Sequence, residues 1–267
     1  MGVKKILAWD TSSLQGIVTA FEIDGTSVRE VVSWSLSLET SRHSERLLWS
    51  IDTVLQSANW KLKDLSGFAV GVGPGSFTGL RIGITTAKML ASTLKIPVAP
   101  ISSLALLAQN FIEMALPRSL ETDKTLIIAC TDATKGEWFT LMGDAHSIRK
   151  GEVSAVFEGV LPPAELFERI QNKLKSSGDQ LRWVAIGQSV ERYPDLWKTF
   201  PEEKRLIPIS ESFHKINPHC LTQLAATAIL QGAVVPAASL QPHYARDSEA
   251  EVKYKKGLLK VIPLSIP

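Results

Sequence analysis

Short apolar runs that end in polar turns fill the first forty residues. Lys5–Trp9 is one such run, closed by Asp10-Thr11-Ser12-Ser13. Gly16–Ile23 is β-branched and aromatic and stops at Asp24-Gly25, a hairpin dipeptide. Val28–Leu36 completes a predicted three-stranded meander. The spacing then changes. From Ser41 to Ala58, Leu47, Leu48, Ile51, Val54 and Leu55 recur three and four apart, which predicts an amphipathic helix, with Ser41, Ser44 and Glu45 supplying capping groups at its start. Gly67–Gly73 reads as a short buried strand, Gly73-Pro74-Gly75 as a turn and Phe77–Leu94 as a long helix stopped by Pro97. Pro97–Ile101 is the next strand. A strand, a helix and a strand in that order form a right-handed crossover, so this part of the sheet is parallel.

The first unit has an echo. Leu126–Cys130, Asp132, a polar turn, Gly136 and Trp138–Met142 repeat the order of Ile6–Trp9, Asp10, a polar turn, Gly16 and Ile17–Phe21. Each is an apolar strand with an aspartate at its end, a turn and a returning strand: either a chance echo or two copies of one unit heading two lobes. Residues 103–124 read as a helix and then a loop. Strand Val153–Val160, helix Pro162–Lys175, strand Trp183–Ile186, a loop and an apolar helix Asn217–Leu230 follow. Past Pro242 come Arg246, Lys253, Lys255, Lys256 and Lys260 without a core period, read as a peripheral tail.

Composition adds mostly exclusions. The 267 residues are 45% hydrophobic and 21% charged, which is globular composition with material for one or two cores. The net charge of +2 argues against a dedicated, autonomous nucleic-acid binder and leaves room for a local basic patch. Two cysteines, Cys130 and Cys220, exclude a disulfide framework and a four-cysteine zinc site. No export signal opens the chain, and Ala225–Leu240, the longest apolar stretch, is interrupted by Gln231, Gly232 and Pro236. The expectation is a soluble, cytoplasmic protein without a membrane partner.

Three features carry candidate chemistry, each with a plainer alternative. Gly73, Gly75 and Ser76 open a helix whose free N–H groups and dipole suit an anion, or they form a tight turn of small residues. The segment is neither a Walker loop nor a dinucleotide fingerprint. Asp10-Thr11-Ser12 and Asp132 at strand ends suit a phosphate or a metal-bound water, or they cap their hairpins as Asx and Ser/Thr turns. Gly75, Gly79, Gly83, Ala87 and Ala91 fall four apart on one helix face, either for packing within the chain or for a subunit interface. His43 stands without a second histidine at ligand spacing, and no His-x-x-x-His or Cys-x-x-Cys pair is present, so no metal site is expected.

Asp10-Thr11-Ser12, Ser41-Arg42-His43-Ser44-Glu45-Arg46-Leu47-Leu48, Gly71 through Gly83 and Thr85-Thr86-Ala87-Lys88 together resemble the TsaB (YeaZ) family. Asp132-Ala133-Thr134-Lys135-Gly136-Glu137 and Pro242-His243-Tyr244-Ala245-Arg246 are similar to two later family segments, with Thr134 and Ala245 departing from the usual Arg and Leu. The resemblance is dense over residues 1–105 and loose afterwards. It implies an α/β, two-lobed actin-like ATPase fold (ASKHA, ribonuclease H-like) with mixed sheets flanked by helices. On it, residues 1–105 form one lobe completed by a helix at about 215–240, 106–214 form the second, and 241–267 the tail.

The resemblance further implies a non-catalytic subunit in the making of N6-threonylcarbamoyladenosine at position 37 of tRNAs that read codons beginning with A. In that scheme TsaC makes threonylcarbamoyl-adenylate and TsaD, a paralogue, transfers the group. TsaB pairs with TsaD, the ATPase TsaE joins the pair, and tRNA is met only within the complex. TsaD carries a His-x-x-x-His metal pair where Ser103 and Leu107 stand here, so neither metal nor cofactor is expected. Asp10, Thr11, Ser12, Gly73, Gly75, Ser76 and Asp132 are then candidates for a degenerate nucleotide cleft. His43, Leu47, Leu48, Ile51, Leu55, Gly79, Gly83 and Ala87 are candidates for the TsaD interface, shared with a homodimer when the chain is alone. A small-molecule kinase on the same fold is the rival reading; a metallopeptidase fails for want of ligands.

Overall fold

The structure, a computed structural model, describes residues 2–13, 15–37, 43–114, 124–133, 135–150, 157–177, 181–198 and 216–243. Its first sheet holds β1 (Lys4–Asp10), β2 (Gln15–Asp24), β3 (Ser27–Ser37), β4 (Gly67–Gly73) and β5 (Val98–Ser102), in the order β3-β2-β1-β4-β5. The meander is antiparallel and β1-β4-β5 are parallel, as the patterning predicts. Helices α1 (His43–Ser57) and α2 (Phe77–Leu94) lie on one face, sealing a core that includes Leu7, Trp9, Leu47, Phe68, Val70 and Ile84.

The second sheet repeats the plan. β6 (Thr125–Asp132), β7 (Trp138–Asp144), β8 (Phe157–Leu161) and β9 (Arg182–Ile186) run in the order β8-β7-β6-β9, antiparallel across β6, β7 and β8 and parallel between β6 and β9. Asp10 pairs with Ile17 at the end of one hairpin ladder and Asp132 with Trp138 at the end of the other. The echo in the sequence is therefore an echo in topology.

Between the sheets runs α3 (Ser103–Met114), which packs against elements of both, so the expected boundary at residue 105 falls inside a helix. The remaining helices are α4 (Ala145–Lys150), α5 (Pro163–Ser176), α6 (Gln188–Arg192), α7 (Pro194–Trp197) and α8 (Pro218–Leu230). α4, α6 and α7 stand where no helix is expected: at four to six residues they are shorter than any period that patterning detects. α8, capped by Asn217, covers the other face of the first sheet through Cys220, Leu221, Leu224 and Ala225. Of the predicted tail only residues 241–243 are described. They run beside β4, where the His243 N–H donates to the Val72 carbonyl at 2.8 Å. Arg246, Lys253, Lys255, Lys256 and Lys260 lie outside the described residues.

Candidate functional site

Asp10 ends β1 with its side chain fully buried. Its Oδ1 accepts from the Ser12 N–H at 2.8 Å and the Ser12 hydroxyl at 2.6 Å, an Asx turn closing the β1–β2 connection. Its Oδ2 accepts from the Ser103 hydroxyl at 2.6 Å. Gly71 on β4 leaves room for that carboxylate: a Cβ there would overlap Asp10 Oδ2. Both oxygens are thus held by the chain's own donors.

The glycines of α2 answer to the same turn. The Ser76 N–H donates to the Ser12 carbonyl at 2.6 Å. The Thr11 hydroxyl donates to the Gly79 carbonyl at 2.7 Å, and Trp9 Nε1–H to the Gly83 carbonyl at 3.1 Å. A Cβ at Gly75 would meet the Ser12 carbonyl, one at Gly79 the Thr11 carbonyl and one at Gly83 the Thr11 hydroxyl. Trp9 of β1 and the Thr11-Ser12 turn after it reach the backbone at the start of α2 directly, and only glycine admits the approach. This corrects the outward-facing reading of the strip: Gly79, Gly83 and Ala87 are buried against β1 and the core beneath α2. Leu47, Ile51 and Leu55 of α1 are likewise buried in the chain's own core. The side chain of His43 lies outside the described residues.

A cavity of 930 Å³ opens between the sheets. Of the cleft candidates, Ser12, Gly75, Ser76 and Asp132 line it, with Ser103, Leu107, Thr131, Gly187 and Glu191. Asp10 and Thr11 sit behind this wall, buried, and Gly73 is turned away against Leu80, whose Cδ1 would be 2.8 Å from a Cβ there. Four hydroxyls of the wall are engaged: Ser12 and Ser103 on Asp10, Ser13 on the Gln15 carbonyl, and Ser76 accepting from the Gly79 N–H, while the Thr131 hydroxyl is buried with no hydrogen-bond partner among the described residues. Asp132 is ion-paired with Arg192 of α6 and also accepts from Tyr193. Among the described residues lining the cavity there is no Lys, Arg or His, while Asp132 and Glu191 are acids.

Ser103 was singled out as the residue in place of a metal ligand; the structure gives it a bond to Asp10, and it gives Leu107 a place in the core between α3 and the second sheet. Among the described residues no three His, Cys, Asp or Glu side chains stand together to hold a metal. Sequence reasoning missed a junction of the two sheets. Ser102, at the end of β5, donates to Glu158 Oε1 on β8 at 2.8 Å, and His243 Nδ1 lies 3.6 Å from the same oxygen. Burial pushes the Glu158 carboxyl up, against the Ser102 hydrogen bond and His243. Three single polar residues, far apart in sequence, leave no local signal.

It also missed an apolar surface. Leu48, Trp49 and Trp34 are exposed on α1 and β3, with the two indoles edge to face at 5.6 Å. Phe77 and Met89 are exposed on α2, where the Arg81 guanidinium lies 3.9 Å from the Phe77 ring centroid. Of the interface candidates whose side chains are described, Leu48 alone is an exposed residue of this surface. No helix among the described residues is long and apolar enough to cross a membrane.

The sequence model of the family described as "TsaD: tRNA N6-adenosine threonylcarbamoyltransferase" matches residues 37–254. The chain is 30% identical over 252 residues to the tRNA threonylcarbamoyladenosine biosynthesis protein TsaB of Escherichia coli K12, covering 92% of this chain and 96% of that one. It is 27% identical over 258 residues to the protein of the same name from Haemophilus influenzae, covering 94% and 96%. Among solved structures it is similar to YeaZ from Pseudomonas aeruginosa, with a TM-score of 0.66 and 25% identity over 90% of this chain and 99% of that one. The fold is accordingly the two-lobed, actin-like one, with mixed sheets flanked by helices, and the chain belongs to the TsaB (YeaZ) family of tRNA threonylcarbamoyladenosine biosynthesis proteins.

Proposed function

We propose that this chain is the non-catalytic partner and activator of a TsaD transferase in forming N6-threonylcarbamoyladenosine at position 37 of tRNAs that read codons beginning with A, with TsaE joining the pair and tRNA met within the complex. The observation that carries this reading is the state of the cleft. Its aspartate is buried under three hydrogen bonds from its own chain, and its described lining offers no cation to a phosphate. A catalytic cleft needs a free carboxylate or a bound cation at the reacting phosphate. What the chain offers instead is the helical face of the first sheet: α1 exposes Leu48 and Trp49 beside Trp34 of β3, and α2 exposes Phe77 and Met89. Exposed aromatics and Met with a neighbouring Arg are the residues that dominate protein interfaces. This face, rather than the buried glycine strip, is where TsaD docks, and a homodimer uses it when TsaD is absent.

The test pairs two assays. Leu48→Glu with Trp49→Glu should weaken TsaD capture at least tenfold while leaving the melting temperature within a few degrees, because both side chains are exposed. The lone chain should show no multi-turnover ATP hydrolysis. Robust hydrolysis abolished by Asp10→Ala would restore the kinase reading, and normal TsaD capture by the double variant would move the interface elsewhere.

A further inference from the structure

The end of the first sheet that faces away from the cleft gathers lysines. β1 begins there with Lys4 and Lys5, the short 3₁₀ turn Leu62–Asp64 and its cap bring Lys61 and Lys63, and α2 ends there at Lys95. Backbone contacts tie the three segments together. The Ser66 N–H donates to the Lys5 carbonyl at 2.8 Å and the Phe68 N–H to the Pro97 carbonyl at 3.0 Å, while a Cβ at Gly67 would meet both Ile6 and Pro97. Lys4, Lys61, Lys63 and Lys95 are exposed; Lys5 is half-buried, its ammonium 5.2 Å from the Trp60 ring centroid. The acids of these loops are Asp24 and Asp64, and the Asp64 carboxylate accepts from the Lys61 N–H to close its turn. Among the described residues no carboxylate pairs with the four exposed ammonium groups.

Fold stability does not explain them. Lys95 follows the α2 C-terminus, where a cation favours the helix dipole, and Lys5 lies over the Trp60 ring; Lys4, Lys61 and Lys63 make no comparable side-chain contact with an acid or a ring among the described residues. Up to His243 the chain carries as many acids as bases, so this cationic end stands against a neutral background and opposite an acid-lined cleft. The charges sit on three short, rigid backbone segments, not on an amphipathic helix with an apolar face to insert, which is how a membrane surface is met. Point charges on fixed backbone suit phosphates spaced along a strand.

We propose that this lysine end is a docking surface for an RNA phosphate backbone, that of the tRNA brought to the assembled complex. The proposal rests on the function proposed above. Four or five contacts give a weak, salt-sensitive interaction in the lone chain and an additive one in the complex, where the partner supplies the rest.

The experiment compares two variants of equal charge change, Lys61→Glu with Lys63→Glu and, on the exposed face of α5, Lys173→Glu with Lys175→Glu. tRNA binding is measured by anisotropy across a salt series, for the complex with TsaD and TsaE and for the lone chain at low salt. The first variant should lose at least tenfold in affinity at low salt and about two from the log–log salt slope, while the second stays within about twofold of the parent. Equal losses in both variants, or none in either, overturn the proposal, as does loss of binding to anionic phosphatidylserine vesicles with tRNA binding intact. TsaD capture is measured for every variant. A parent chain that fails to capture TsaD sinks the proposed function, and the lone-chain series still decides the RNA surface.

Discussion

In the first sheet Asp10 closes the β1–β2 ladder and is fully buried, bonded to Ser12 and to Ser103 at the start of α3. In the second, Asp132 closes the β6–β7 ladder at the same topological place but stays at the cavity wall, held by Arg192, whose own side chain is 60% exposed. The difference begins after the parallel strand. β4 feeds an 18-residue helix whose glycines admit Thr11 and Trp9 against its backbone. β9 feeds the five-residue α6, too short to lie across the strand-end turn. One repeated unit thus yields a sealed end and an open one: α2 docks on Trp9, Thr11 and Ser12, and α3 brings Ser103 to the aspartate.

The strongest way to break that contrast is to fill the helix–strand contact. Gly79→Leu or Gly71→Ala should cost at least about 3 kcal/mol, because the space is held by the Thr11 carbonyl or the Asp10 carboxylate rather than by a flexible side-chain tip. That is roughly a 10 °C fall in melting temperature for a chain of this size. Gly187 tests whether the open end has its own tight point: it has φ +106°, and a Cβ would overlap the Cys130 carbonyl. Gly187→Ala should destabilise comparably, whereas Gly136→Ala, with φ +78° and open space around it, should cost only about 1–2 kcal/mol. The two thiols report which sheet loosens. Burial pushes Cys130 in the second sheet and Cys220 against the first up to about 12. Neither should react with a thiol reagent at neutral pH in the parent, and Gly187→Ala should expose Cys130 first.

The aspartates themselves come next in size. Asp10→Ala leaves the Ser12 N–H and two hydroxyls without their acceptor in a buried place, an expected loss of about 2–4 kcal/mol. Asp132→Ala breaks a partly exposed ion pair and should cost less than about 1 kcal/mol. Denaturant melts of the two variants decide the matter. Equal losses would mean that the two turns are equivalent after all and that the helix does not seal the first.

How much of this was readable beforehand follows from which interactions are local. Strand alternation, the helix periods of α1, α2 and α8 and the repeated strand–Asp–turn–strand unit are near-neighbour patterns, and they yielded both sheets. The four-residue spacing of Gly75, Gly79 and Gly83 correctly marked a close approach, but spacing does not say what approaches. The partner is Thr11 and Trp9, some seventy residues away. For the same reason Leu47 and Leu48 looked alike in sequence, though one lies in the core and the other on the surface. Ser103 was noticed for the metal it cannot bind, while its bond to Asp10 spans ninety-three positions.

The smallest expected effect lies where the two units meet. Glu158 of β8 reaches Ser102 at the end of β5 and His243 of the C-terminal segment, so a third carboxylate joins the sealed sheet to the open one. Burial raises its pKa above the ordinary carboxylate value, partly opposed by the Ser102 hydrogen bond and by His243. A raised native pKa means that the folded state holds this proton more tightly than the unfolded chain. Protonation therefore adds stability as pH falls toward the usual carboxylate range near about 4.3, and that contribution is lost as pH rises through the native value. Glu158→Gln keeps an acceptor for Ser102 and removes the buried charge. The variant should melt slightly higher than the parent at pH 7.5, by no more than a few degrees, and the gap should close as pH falls through the window just above the ordinary carboxylate value. In a His243→Ala background the gap should widen in the acid half of the range, where an imidazolium pairs with the ionised carboxylate. Melting curves of the four proteins from pH 4.5 to 8 read both effects. A gap that grows on acidification would instead mean that the junction depends on the ionised form and that the two sheets are joined by charge.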